Sequence, residues 1–84
     1  MTLDEYLQNI EPASSLADRM GIKSPSVSRW RAGQRDVPPF RAVQIETLTL
    51  GKVTRRELRP KDWHLLWPDY RGLQIIVSQE RKKD

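Results

Sequence analysis

A chain of 84 residues is near the lower limit for a self-sufficient apolar core, so one domain is expected and a second has no room. The absence of cysteine removes disulfides, thiolate metal sites and thiol nucleophiles, and is what a reducing cytoplasm permits. The formal net charge of +4 is modest, but its distribution is uneven, and catalytic or membrane-spanning patterns are missing. The first 22 residues set Asp4, Glu5, Glu11 and Asp18 against Arg19. Two basic blocks follow. Lys23, Arg29, Arg31, Arg35 and Arg41 face only Asp36, and Lys52, Arg55, Arg56, Arg59 and Lys61 face only Glu57. Such blocks can track a phosphate backbone, although a solvated surface has the same composition.

In chain order, Thr2 can cap a first helix whose Leu3, Tyr6, Leu7 and Ile10 recur at three-and-four spacing, with Pro12 ending it. Ser14 or Ser15 is the expected cap of a second helix carrying Leu16, Ala17 and Met20, which stops at Gly21. Ser24-Pro25 restarts the chain as a third helix, with the hydroxyl capping, Val27 and Trp30 facing inward and Gly33 closing it. Only about three residues join these two helices by this reading. Pro38-Pro39 launches a fourth helix through Ala42, Val43, Ile45, Leu48 and Thr49, stopped by Gly51. Thr54-Arg55-Arg56-Glu57 has the spacing of a capping box and opens a short helix that Pro60 limits. Trp63, Leu65, Leu66 and Trp67 are dense in apolar residues without a clear period. Leu73 to Val77 reads as a β-rich run, and Glu80 to Asp84 as a charged, frayed end. The expected organisation is a helix-turn-helix domain over residues 1–67 and a C-terminal segment over 68–84.

Two short helices joined at a glycine suit DNA, because the first braces across the backbone while the second offers its N-terminal half to the major groove. That arrangement needs a small residue where the helices cross and apolar residues behind the second helix. Ala17, Gly21, Ile22, Val27 and Trp30 supply these in order. The outer positions are then Ser24, Ser26, Ser28, Arg29 and Arg31, with no acidic group among them. Arg29 is the best candidate for reading a base edge, with guanine O6 and N7 its natural acceptors, and Ser28 is a weaker one. Lys23, Ser26, Arg31, Gln34 and Arg35 read as phosphate contacts. Arg41 is a candidate ion-pair partner for Glu46, Trp30 is a core residue rather than a stacking platform, and Arg55, Arg56 and Arg59 read as a wet helix face ahead of flanking phosphate contacts. His64 has no second histidine or cysteine with which to hold zinc, and no nucleophile, base and orienting group converge, so no catalysis, metal or cofactor is expected.

The stretch Leu16-Ala17-Asp18-Arg19-Met20-Gly21-Ile22, followed by Val27-Ser28-Arg29-Trp30-Arg31-Ala32-Gly33, resembles the helix-turn-helix of phage repressor and Cro-like proteins. The downstream order Val37-Pro38, Arg41-Ala42, Ile45-Glu46, Thr49, Gly51, Val53-Thr54 and Glu57-Leu58-Arg59-Pro60 is similar to the Cro-like or YdaS-type regulators of prophages, sometimes labelled antitoxins. The likeness runs from about Leu7 to Trp67. It implies a λ-repressor-like helical domain, which agrees with the all-α reading of about five short helices above, while Leu73 to Val77 is a candidate short C-terminal β-strand that could pair with its mate in a dimer. It also implies sequence-specific binding to double-stranded operator DNA and transcriptional control in a bacterial cytoplasm, at the nucleoid when DNA-bound.

The groove-facing positions of the resembled family fall on Ser24, Pro25, Ser28 and Arg29. Pro25 departs from the pattern, since it offers no side-chain hydrogen bond and leaves only van der Waals contact to a thymine methyl. A homodimer is expected, because two such helices roughly 34 Å apart read adjacent major grooves. The alternative is an antitoxin or antirepressor that acts mainly by binding a protein partner.

Overall fold

The computed structural model describes residues 1–72, so the expected strand at Leu73 to Val77 and the charged end lie outside the described residues. Six short helices follow one another: α1 Leu3–Asn9, α2 Ala13–Met20, α3 Ser24–Arg31, α4 Pro39–Leu48, α5 Arg55–Leu58 and α6 Trp63–Leu66. Over the described residues the fold is all-α, as expected, with α6 as an additional turn of helix in the aromatic stretch.

The capping signals explain most of the boundaries. Thr2 and Thr54 each form a complete capping box, with Glu5 and Glu57 respectively returning a carboxylate to the cap N–H. Neither serine expected to cap α2 does so. The ladder already starts at the Pro12 carbonyl, which accepts from the Ser15 and Leu16 N–H groups, and the Ser15 hydroxyl instead donates to Glu11 Oε2 at 2.6 Å. Ser24 likewise lies inside α3 rather than capping it. Lys23 is the extended N-cap residue and its carbonyl accepts from Ser26, while Pro25 removes one of the first-turn N–H groups that a cap would have to satisfy.

α4 ends one step earlier than Gly51 suggested. Thr49 is its C-cap, and Leu50 turns the chain at φ +55° before Gly51 continues it at +81°. The turn closes as the Leu50 and Gly51 N–H groups donate to the carbonyls of Thr47 and Glu46. Leu50 is a branched side chain in a conformation that glycine adopts freely, a local strain of about 1 kcal/mol.

One apolar core joins these elements. Leu3, Tyr6 and Leu7 of α1, Leu16, Ala17 and Met20 of α2, Val27 of α3, and Ala42 and Ile45 of α4 are buried together with Val37 and Val53. Ile10 is exposed, because α1 stops at Asn9 and carries it off the buried face. Trp30 packs against the core from α3, which is the structural place expected for it.

A polar network locks α2 against its neighbours. The Arg19 guanidinium donates to Glu11, to the Tyr6 hydroxyl and to the Leu48 carbonyl, and so joins α1, α2 and α4. Burial pushes the Glu11 carboxyl upward, but hydrogen bonds from Arg19, Ser15 and Tyr6, with the Arg19 charge, outweigh it and hold it at about 2 against an ordinary 4.5. Since the folded value lies below the unfolded one, this stabilisation is complete above about pH 4.5 and disappears as pH falls from there through 2. Glu11→Gln is therefore expected to remove roughly 1–3 kcal/mol at neutral pH. It should also flatten the acid dependence of stability in that window. Denaturation curves between pH 7 and 2 measure both, and parallel curves for the two proteins would contradict the assignment.

Candidate nucleic-acid interface

The turn between α2 and α3 is Gly21-Ile22-Lys23, the three-residue connection expected from the sequence. Gly21 adopts φ +74°, which brings its own N–H onto the Asp18 carbonyl and that of Ile22 onto Ala17. A β-carbon at Gly21 would meet nothing within 4 Å, so glycine is needed there for its torsion angle and not for space. Gly21→Ala should accordingly destabilise by about 1 kcal/mol, read as a fall in Tm of roughly 4–8 °C. An unchanged Tm would show that the turn tolerates a side chain. Ala17 is buried at the helix crossing, and Ile22 packs against the core beside it.

α3 is thereby pinned from one side. Val27 is fully buried and Trp30 half-buried, whereas Pro25, Ser28 and Arg29 are exposed. At 3.6 residues per turn these last three share the side opposite Val27 and Trp30. Ser24 and Ser26 sit half-buried at the margins of that exposed face. Beyond it, α3 closes at Gly33, φ +74°, where the Gly33 and Gln34 N–H groups donate to the carbonyls of Trp30 and Arg29. The turn delivers Gln34 and Arg35 to the surface just past the helix, and Lys23 is exposed just before it. The expected base-reading positions thus lie on one continuous helix, with Lys23, Arg31, Gln34 and Arg35 of the expected phosphate contacts at its two ends and Ser26 within its first turn. Among the described residues, Arg31 alone of those cations is engaged, its Nε donating to Asp4 Oδ1 at 2.5 Å.

In the second basic block Lys52 and Lys61 are exposed, but Arg55, Arg56 and Arg59 are not the wet helix face expected of them. Arg55 donates through Nε to Glu46 Oε1 at 2.6 Å, and its backbone N–H reaches the same oxygen at 3.2 Å. Tyr70 donates its hydroxyl to Glu46 Oε2 at 2.5 Å, so both oxygens of this completely buried carboxylate are occupied. The Arg55 guanidinium also lies over the rings of Tyr70 and Trp67, at 4.6 and 5.2 Å from their centroids. Arg56 covers Trp63 at 4.6 Å. Arg59 is held by Asp62 and donates to the Val37 carbonyl at 2.6 Å.

The expected Arg41–Glu46 pair does not form. Arg41 donates to Gln44 instead, because Glu46 lies on the buried side of α4, facing α5. Burial first, then the bond to Glu46, raises the Tyr70 hydroxyl to about 12. Among the described residues there is no group of three or more His, Cys, Asp or Glu side chains able to hold a metal ion, and no helix long and apolar enough to cross a membrane.

Comparison with known proteins places this arrangement in context. The model of the family described as Bacterial toxin YdaS matches residues 7–66, which include the whole of α2 through α6. Over 54 residues the chain is 43% identical to a protein of Escherichia coli (strain K12) named Putative transcriptional regulator YdaS, covering 63% of this chain and 55% of that protein. The chain therefore spans about half the length of the curated relative it matches. With the family model covering well over half of its residues, and the turn, the α3 face and the α4–α5 region all inside the match, the chain belongs to the YdaS family.

Proposed function

We propose that this protein is a sequence-specific binder of double-stranded DNA that inserts α3 into the major groove and thereby regulates transcription. The observation that carries this reading is the outer face of α3. Pro25, Ser28 and Arg29 stand exposed on a helix without acidic residues, pinned from behind by Val27 and Trp30 and bracketed by the exposed Lys23, Gln34 and Arg35. Such a face meets base edges without repelling phosphates, and the flanking cations supply the sequence-independent share of affinity. The matched relative is named a transcriptional regulator, which agrees with this reading, and the word toxin in the family description does not by itself call for a different surface.

Binding as a homodimer to a short pseudo-palindromic site follows from the shortness of α3. Eight residues reach few base pairs, and two copies one helical turn apart double the sequence read. In this reading the protein is a cytoplasmic binding protein that uses no cofactor and catalyses no reaction.

Selection of bound duplexes from a random pool, followed by mobility shifts, tests the proposal. The expected result is one enriched motif with two-fold character, bound about a thousandfold or more tighter than random DNA. Uniformly weak DNA binding, with stoichiometric recovery of a protein partner, would replace it by the antitoxin or antirepressor reading.

A further inference from the structure

The ion pair between Arg31 and Asp4 links the recognition helix to α1, a helix otherwise occupied with the core. Asp4 is itself held in place. Gln8, one turn later on α1, donates to Asp4 Oδ2 at 2.6 Å, leaving Oδ1 to accept from Arg31 Nε at 2.5 Å. The carboxylate is thus held at both oxygens. Because Arg31 is bound through Nε, its two terminal amino groups make no hydrogen bond among the described residues, and the side chain remains about one-third exposed. Arg31 and Arg35 border one cleft of about 240 Å³ between the start of α1 and the end of α3, which Asp4, Asp36 and Glu57 also line. A guanidinium fixed at Nε and open at its far edge can accept a phosphate with little further loss of side-chain freedom.

We propose that Asp4 is a positioning residue for DNA binding, aligning Arg31 so that its terminal amino groups meet a backbone phosphate beside the groove that α3 enters. This rests on the DNA-binding reading above, and lysine is a poor substitute for Arg31, since its single ammonium centre lacks the separate planar donor edges with which a guanidinium bridges Asp4 and a phosphate. Asp4 stands behind the contact, and its removal alone would favour DNA through simple charge. That opposing effect is only partly screened at about 0.15 M salt, where the screening length is about 8 Å, and the proposal requires the loss of alignment to exceed it.

The test is a titration of the full chain with a duplex recovered by selection, at several salt concentrations, using Asp4→Asn, Arg31→Ala, Arg31→Lys and the Asp4→Asn/Arg31→Ala double variant. Asp4→Asn should weaken binding about two- to fivefold at 0.15 M salt. Arg31→Ala should weaken it and lower the salt slope by about one, while Arg31→Lys keeps the slope without restoring the affinity. In the Arg31→Ala background, Asp4→Asn should change nothing. Tighter binding by Asp4→Asn, or the same loss with and without Arg31, would overturn the assignment, and thermal melts separate either result from unfolding. Failure of the unmodified protein to bind any duplex would instead remove the DNA-binding reading and this assignment with it. Tight, selective binding by the unmodified protein, with no effect of Asp4→Asn, removes this assignment alone.

Discussion

Replacing Glu46 by alanine should cost about 3–5 kcal/mol, a large part of the 5–15 kcal/mol that holds a typical domain together. The carboxylate is completely buried and accepts three hydrogen bonds, two from Arg55 and one from Tyr70. Without it, a guanidinium only 17% exposed loses its counter-charge, and two further donors are stranded in a poorly solvated space. Glu46→Gln keeps an acceptor for one partner and should lose clearly less. It should also let the Tyr70 hydroxyl return from about 12 toward its ordinary value of 10, which ultraviolet titration of the phenol detects. Urea denaturation of both variants supplies the stability figures. A loss below about 1 kcal/mol for Glu46→Ala would mean that the cluster is surface decoration and not a joint between α4, α5 and the segment reaching Tyr70.

The second large effect is expected in sequence choice. Arg29 is exposed, makes no side-chain hydrogen bond or ion pair among the described residues, and sits on the outer side of α3 beside Ser28. A guanidinium so placed can present two parallel donors to guanine, an interaction worth about 1–3 kcal/mol against a wrong base. Arg29→Ala should therefore weaken binding to the preferred duplex roughly ten- to a hundredfold, and alter binding to random DNA far less. Lys23, the exposed N-cap residue of the same helix, is a phosphate contact in the proposed reading. Lys23→Ala should weaken preferred and random duplexes alike and reduce the salt slope by about 0.9. Equal losses on both kinds of DNA for Arg29→Ala would take it out of the reading set and leave it a phosphate clamp.

The local code of the chain was largely legible. The Thr54–Glu57 spacing announces a capping box, and Gly21, Val27 and Trp30 announce a tight turn and the buried side of α3. These signals act within one or two turns of the chain, where backbone torsion and side-chain reach decide the outcome. Helix starts beside proline were less legible. Pro12 and Lys23 serve as cap positions without any capping side chain, so the serines nearby were free for other partners or none.

The part that was not legible is long-range. Glu46 and Arg55 are nine positions apart, and Tyr70 lies 24 positions from Glu46. Nothing in periodicity states that α4 turns Glu46 inward toward α5, so a charge-rich stretch read as solvated becomes a buried junction. One signal was available: three aromatic residues, Trp63, Trp67 and Tyr70, follow closely on a run containing Arg55 and Arg56, and guanidinium groups pack well on such rings. The same limit hid Asp4, whose partner Arg31 is 27 positions away on another helix. For the candidate interface, the consequence is a narrowing. Of the two basic blocks, the first keeps Lys23, Arg29 and Arg35 exposed around α3, with Arg31 paired to Asp4 and Arg41 on α4, and the second commits Arg55 and Arg59 to acidic partners and stacks Arg56 on Trp63.

Titration of isotope-labelled protein with a selected duplex, followed through backbone amide resonances, tests the central claim most directly. If α3 enters the groove, the largest perturbations fall between Lys23 and Arg35, with Ser28 and Arg29 foremost and the junction of Glu46, Arg55 and Tyr70 little changed. Perturbations centred on α4 or α6, with Ser28 and Arg29 unmoved, would contradict it.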